Sequence, residues 1–269
     1  MKRLLYIIFP VLIFIMLPGC LEQKEDTDYF DQAEYYFSTG QFNQARTYYQ
    51  QYLEEKEHGS RRYQAWKRLL SIRVDIFADV EGGLDILKAM QMEYDKDLDK
   101  IQDINARIAE KYNRLGQPRD SRRIWEKNRN LAESVQQKKK SALFMAINSL
   151  KMREFEKARE DLQDFSKCSG EIDADICSRI QYTLGKSYFL QNDLTRAGEV
   201  LSRAYRLEAG NEYRSRAGML LTEVHLEHDE IDKAQALLKE LLGIHPNPGA
   251  IEVRLKNLAS QQDQSDFSR

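Results

Sequence analysis

Leu184-Gly185-Lys186-Ser187-Tyr188, then Ala197-Gly198-Glu199-Val200-Leu201 and Ala204, is the stretch that decides the fold. Its small residues stand at the spacing that lets two helices approach closely, and its large ones at the spacing that fills the gap between them. Aligning the rest of the chain on a small residue followed four positions later by a large apolar one gives six anchors. They are Ala45 with Tyr49, Gly83 with Leu87, Ser121 with Trp125, Ala158 with Leu162, Ala197 with Leu201 and Ala234 with Leu238. Successive anchors are 38, 38, 37, 39 and 37 residues apart. So steady a period marks an array of repeats.

Other copies carry the same order of residues. The first has Ala33-x-x-Tyr36, Gly40, Phe42, Ala45, Tyr49 and Leu53; the fourth has Ala146, Phe155, Ala158, Leu162 and Phe165; the sixth has Leu221, Ile231, Ala234, Leu238, Leu241 and Pro246. With L-G-x-x-Y followed by A-x-x-x-L in the fifth copy, this resembles the tetratricopeptide repeat, stretched three to five residues beyond its usual 34. The resemblance implies an all-α fold: a tetratricopeptide-like superhelical solenoid of about six helix pairs over residues 29–247. Ile251, Leu255 and Leu258 read as a capping helix over 248–260, and the polar residues 261–269 as a flexible tail. Small Ala33, Ala109, Ala146 and Gly185 on first helices and large Tyr36, Tyr112, Tyr188 and Trp125 are expected to pack between partners. The second and third copies are degenerate. Pro118 in a turn and Ser121 at an anchor predict looser packing there.

Ahead of the array, Met1-Lys2-Arg3 is followed by the apolar run Leu4–Leu17, broken by Pro10, and by Leu17-Pro18-Gly19-Cys20. The block resembles a bacterial lipoprotein signal with its lipobox, which implies cleavage after residue 19 and lipidation of Cys20. A membrane-spanning anchor is the alternative. Leu4 to Cys20 is 17 residues, below the roughly 20 a span needs. Removing 19 of 269 residues leaves 250, enough for one elongated or two compact domains. Leu21 is not the Asp that resembles an inner-membrane retention signal, so a lipid anchor at the periplasmic face of the outer membrane is expected. Residues 20–28 form the tether, and the eight from Leu21 to Asp28 reach at most about 27 Å.

Forty-one basic against 43 acidic residues give a net charge of −2 and no electrostatic footprint for nucleic acid. Lys138-Lys139-Lys140 reads as a solvated helix face. No G-x-S-x-G, Walker loop, dinucleotide fingerprint or H-E-x-x-H is present, so neither catalysis, nor a cofactor, nor a small-molecule substrate is indicated. His225 and His228 lie three apart, but no third ligand accompanies them; the better reading has His225 packing where the repeat places tyrosine.

Cys168 and Cys177 lie nine positions apart across the turn between the fourth and fifth copies, where an oxidising envelope would allow a disulfide; two free thiols are the alternative. First helices of such arrays line a concave face. Phe30, Glu34, Phe37, Leu143, Ile147, Leu150, Tyr182, Lys186, Phe189, Met219, Glu223 and Leu226 are expected to point there, with core packing as the alternative. Asp75 with Arg68 is a further pair that could steer a partner, with a solvated face as the better reading. Fold and anchor together resemble lipoproteins of envelope assembly, such as the outer-membrane barrel-assembly lipoprotein and the pilotins of type IV pilus secretins. The resemblance implies a non-enzymatic scaffold that holds a peptide or helix of another envelope protein. A peptidoglycan or cell-division adaptor is the rival class, and an enzyme the third.

Overall fold

The computed structural model describes residues 28–168, 173–207 and 210–267, with side chains as far as Ser260. Among the described residues there are thirteen α-helices and no strand, in two compact units that divide between Leu69 and Leu70. Cys20, the signal ahead of it and the tether to Thr27 lie outside the described residues.

The first unit holds α1 (Tyr29–Ser38), α2 (Phe42–Glu55) and most of α3 (Arg62–Ser71). Asp28 caps α1 by accepting the Phe30 N–H at 3.0 Å. Ala33 and Ala45, both fully buried, let α1 and α2 close on each other, and Phe30 packs edge-to-face on Tyr49 and Tyr52. Arg61 reaches back from the foot of α3 to Asp28 and to Asp31, the latter at 2.6 Å. Inside the unit, the Tyr49 hydroxyl donates to Glu34 at 2.6 Å while Arg68 donates two bonds to the same carboxylate at 2.9 Å. Arg68 therefore serves Glu34, and Asp75 accepts from Ser71 Oγ, so the two do not act together as a pair that steers a partner.

The second unit begins with a π-helical continuation of α3, Ile72–Ile76, and runs through α4 (Val80–Glu93), α5 (Leu98–Arg114), α6 (Pro118–Leu131), α7 (Val135–Lys151) and α8 (Phe155–Leu162). It ends with α9 (Ala174–Phe189), α10 (Leu194–Arg206), α11 (Asn211–Glu227), α12 (Ile231–Leu241) and α13 (Pro248–Phe267). Each helix packs on the next, and α9 also touches α7 and α11, so first helices form one layer and second helices the other. All six anchors and the large residues four positions on are buried. Gly185 shows why the small residues of first helices are needed as well: a Cβ there would stand 2.7 Å from Leu201 Cγ of the partner helix. Burying each of Leu162, Leu201 and Leu238 contributes about 1.5 to 3 kcal/mol. Ile251 and Leu258 of α13 close the end of this core, and the α13 backbone continues past the expected Ser260 limit to Phe267.

Gly40, Ala78, Gly116, Arg153, Asn192 and Asp229 share a positive φ. Each stands five residues before an anchor, so one left-handed residue ends every first helix. The N–H of the next residue then bonds back to the carbonyl five before it: Gln41 to Tyr36, Gln117 to Tyr112, Glu154 to Ser149, Asp193 to Tyr188 and Glu230 to His225. In the second pair the same bond runs from Asp79 to Arg73, six residues back, because the π turn absorbs one extra residue. That insertion is why the second copy looks degenerate. The third copy is not loose. Pro118 occupies the first turn of α6, where no N–H is needed, and Ser121 is fully buried and accepts from Asn113 Nδ2 at 2.8 Å and Asn148 Nδ2 at 3.1 Å.

Candidate partner-binding face

The residues expected to line a groove separate into two groups. Phe30, 3% exposed, and Leu143, 1% exposed, are core residues, which removes both from any open face. Core burial wins because each stands on the side of its helix that meets the partner helix. Ile147 and Leu150 pack, half-buried, on the cluster of α7, α8 and α9, and Phe189, Met219 and Leu226 pack on that of α10 to α12. Phe37 packs on Phe42 beneath the Arg68 guanidinium in the first unit. Glu223 is paired with Arg254 of α13, and Lys186 is half-buried on α9. Tyr182 does lie in a continuous surface, and its neighbours there were not among the expected residues.

That surface is a row of cations and aromatic rings across the first helices of the second unit. Trp125 stacks on Phe144 of α7 with centroids 4.5 Å apart and planes 10° from parallel. The Arg179 guanidinium of α9 lies 5.3 Å from the Phe144 ring and 5.1 Å from the Tyr213 ring of α11. Arg216 covers Tyr213 at 5.2 Å, and Tyr182 meets Tyr213 edge-on at 5.8 Å. Lys140 and Phe144 wall a cleft of about 500 Å³ opposite Asp103, Arg107 and Glu110 of α5, with Trp125 at its base. Burial pushes the Tyr182 phenol up from its ordinary range. Glu212 pairs with Arg216 at 2.8 Å, leaving Arg179 as the central cation of the row, flanked by rings on two helices.

A legible signal for this row existed. Lys140, Arg179 and Arg216 each stand 18 residues before an anchor, Ala158, Ala197 and Ala234. A cation recurring at one register of three consecutive repeats projects from one face of the array. The apolar pattern drew attention to Leu143 instead, one turn on, where the helix faces inward.

Cys168 and Cys177 are joined as a disulfide, their Cα atoms 5.7 Å apart, between the end of the α8 segment and the first turn of α9. His225 Nδ1 lies 2.6 Å from Glu230 Oε2 across the turn from α11 to α12, and no group of metal-holding residues occurs among the described residues.

Residues 29–55 match the tetratricopeptide repeat family. No curated protein sequence matches the chain. Among solved structures, the chain is similar to MamA 41-end from Desulfovibrio magneticus RS-1, at 16% identity and a TM-score of 0.53 over 67% of this chain and 93% of that one. It is also similar to the N-terminal domain of the EccA1 ATPase from the ESX-1 secretion system of Mycobacterium tuberculosis, at 12% identity and a TM-score of 0.56, covering 86% and 88%. BtubC from P. vanneervenii matches at 18% identity and a TM-score of 0.50, covering 75% and 81%. At these identities the likeness concerns the fold: a tetratricopeptide-type helical scaffold, an architecture suited to protein–protein interaction.

Proposed function

We propose that this protein is a lipid-anchored scaffold of the cell envelope that holds a segment of another envelope protein along its first-helix face and so helps to assemble or localise it. The observation that carries the reading is the row Phe144, Arg179, Tyr213 and Arg216 on three neighbouring helices. Rings and guanidinium groups held in place by one another lose little freedom on binding and dominate interface energetics elsewhere. The N-terminal block that resembles a lipobox supplies the address, and the short tether from Cys20 to the Asp28 cap keeps the first repeat near the bilayer. The disulfide at Cys168 and Cys177 suits an oxidising compartment. Barrel-protein assembly and secretin biogenesis are the two processes this reading favours.

Crosslinking in intact cells tests it. Arg179→Glu combined with Tyr213→Ala should cut capture of the wild-type partner at least tenfold while the helical content stays at the wild-type level. Undiminished capture by the folded double variant would remove the first-helix face from the proposal, and capture of a peptidoglycan synthase would move the protein into the cell-wall class.

A further inference from the structure

We infer that the outer face of the first helix pair is a membrane-docking surface, which lies against the lipid headgroups of the bilayer that holds Cys20. The inference rests on the lipid anchor proposed above and adds to it a second contact with the same membrane. From Tyr35 to Leu53 the chain has five of its 14 tyrosines and a single charged residue, Arg46, although 31% of all residues are charged. That stretch lies within α1, α2 and the turn between them, so its character is the character of one helix pair.

Helix geometry decides where the tyrosines go. Phe30, Glu34 and Phe37 share the side of α1 that meets Tyr49 and the arginines of α3. Tyr29 and Tyr36 stand seven residues apart, each about 100° round the helix from Phe30 or Phe37, which turns them away from α3. There they form a ladder with α2. Tyr48 stacks on Tyr29 at 6.2 Å and on Tyr36 at 5.2 Å with planes 4° from parallel, and Tyr35 meets Tyr36 edge-on at 5.4 Å. The three stacked rings are half-buried, and Tyr35 is 61% exposed. Gln32, between Tyr29 and Tyr36, and Gln44, one turn before Tyr48, are neutral neighbours on the same face. Ile251 and Leu258 of α13 close the last pair, but among the described residues no helix precedes α1 to cover the first.

Rings and neutral amides select a bilayer interface as the occupant. A phenol is amphipathic: its ring suits the upper acyl carbons and its hydroxyl the headgroups, which is why tyrosines gather at membrane interfaces. A carboxylate or ammonium in the face would resist transfer out of water, and the ladder has none beside it on α1 or α2. Reach brings face and membrane together. Residues 21–28 extend at most about 27 Å from Cys20, and the ten residues of α1 add about 15 Å, so the ladder stays close to the lipid. Tethering raises the effective concentration of the surface, so a contact too weak to recruit a free protein is enough for an anchored one. Acyl chains alone would leave the first pair free to swivel; docking fixes the direction in which it leaves the membrane.

Full-length acylated protein in vesicles of phosphatidylethanolamine and phosphatidylglycerol gives the test, with two separate readouts. Flotation with the vesicles reports the anchor. Fluorescence of the exposed-site variant Tyr35→Trp, after subtraction of the wild-type emission from Trp66 and Trp125, reports the face. Lipids brominated near the top of the acyl chains should quench the added emission at least twofold. Adding Gln32→Glu with Gln44→Glu should remove that quenching while flotation and circular dichroism stay at the wild-type level. Flotation without quenching would overturn the docking face and leave the anchor standing, whereas absence of flotation would overturn both. Quenching that survives both glutamates in the folded variant would overturn the assignment to this face. A crosslink between two copies at position 35, in place of quenching, would assign the ladder to a second copy and overturn it too.

Discussion

Ser121 stands where every other repeat keeps alanine or glycine, and its hydroxyl turns that packing position into a polar junction. Asn113 of α5 and Asn148 of α7 both donate to it, so three helices meet on one oxygen. Asn148 also donates to the Phe144 carbonyl, which links the junction to the aromatic row. Beside it, Arg122 of α6 donates to Ser149 and to Asp161 at 3.0 and 2.8 Å, and the Ser149 hydroxyl closes the triangle on Asp161. Burial raises the Asp161 carboxyl above its ordinary value despite the arginine, so desolvation offsets much of the attraction within the pair. Ser121→Ala should cost about 1 to 3 kcal/mol, since the half-buried Asn113 amide and the buried Asn148 amide each lose one hydrogen bond; a urea midpoint equal to wild type would contradict the junction's role. Glu34 behaves oppositely. Burial pushes its carboxyl up, but bonds from Arg68 and Tyr49 and the arginine charge outweigh burial and hold it below the ordinary glutamate value. A lowered folded value means stability that is present above the unfolded value and lost as pH falls through the folded one. Thermal melts below about pH 4.5 should therefore fall more steeply for wild type than for Glu34→Gln; parallel curves would argue against it.

At the scale of elements, a left-handed residue ends all six first helices, but only Gly40 and Gly116 carry it at no steric expense. Asn192 and Asp229 tolerate it, whereas Ala78 and Arg153 hold it against a penalty of about 1 to 2 kcal/mol. Arg153→Gly should accordingly stabilise the second unit by up to about 1 kcal/mol, after the extra freedom of glycine in the unfolded chain is set against the relief. A lower melting temperature for that variant would show that the Arg153 side chain matters more than its backbone. Helix pairs were readable because anchor spacing is a packing requirement that each copy must meet. Turn geometry was not, since a tertiary context that clamps both helices can impose the left-handed state on arginine or alanine. The π turn at Ile72–Ile76 was equally hidden: it changes the register of one helix without changing the anchor spacing.

For the whole molecule, the N-terminal block and the array act at different ends of one proposal. Acyl chains on Cys20 would contribute about 0.8 kcal/mol per buried methylene, enough with two or more chains for stable attachment. Cys20→Ser should move the protein from the membrane fraction to the soluble one with an unchanged melting temperature, because none of the buried residues of the described helices lies near position 20. Retention of the variant in membranes would refute the anchor. The aromatic row belongs to the second unit, and the disulfide braces the start of α9, the helix that carries Arg179.

Period, helix pairing and the burial of six anchors were determined by the sequence alone, because close helix approach admits only small residues at fixed spacing. The opening apolar block announced itself in the same way, through residue types that its resemblance demands. Which residues face outward was decided by tertiary structure. Leu143 and Phe144 are adjacent in the chain, yet one turns into the core and the other onto Trp125 and Arg179, a distinction set by where neighbouring helices fall.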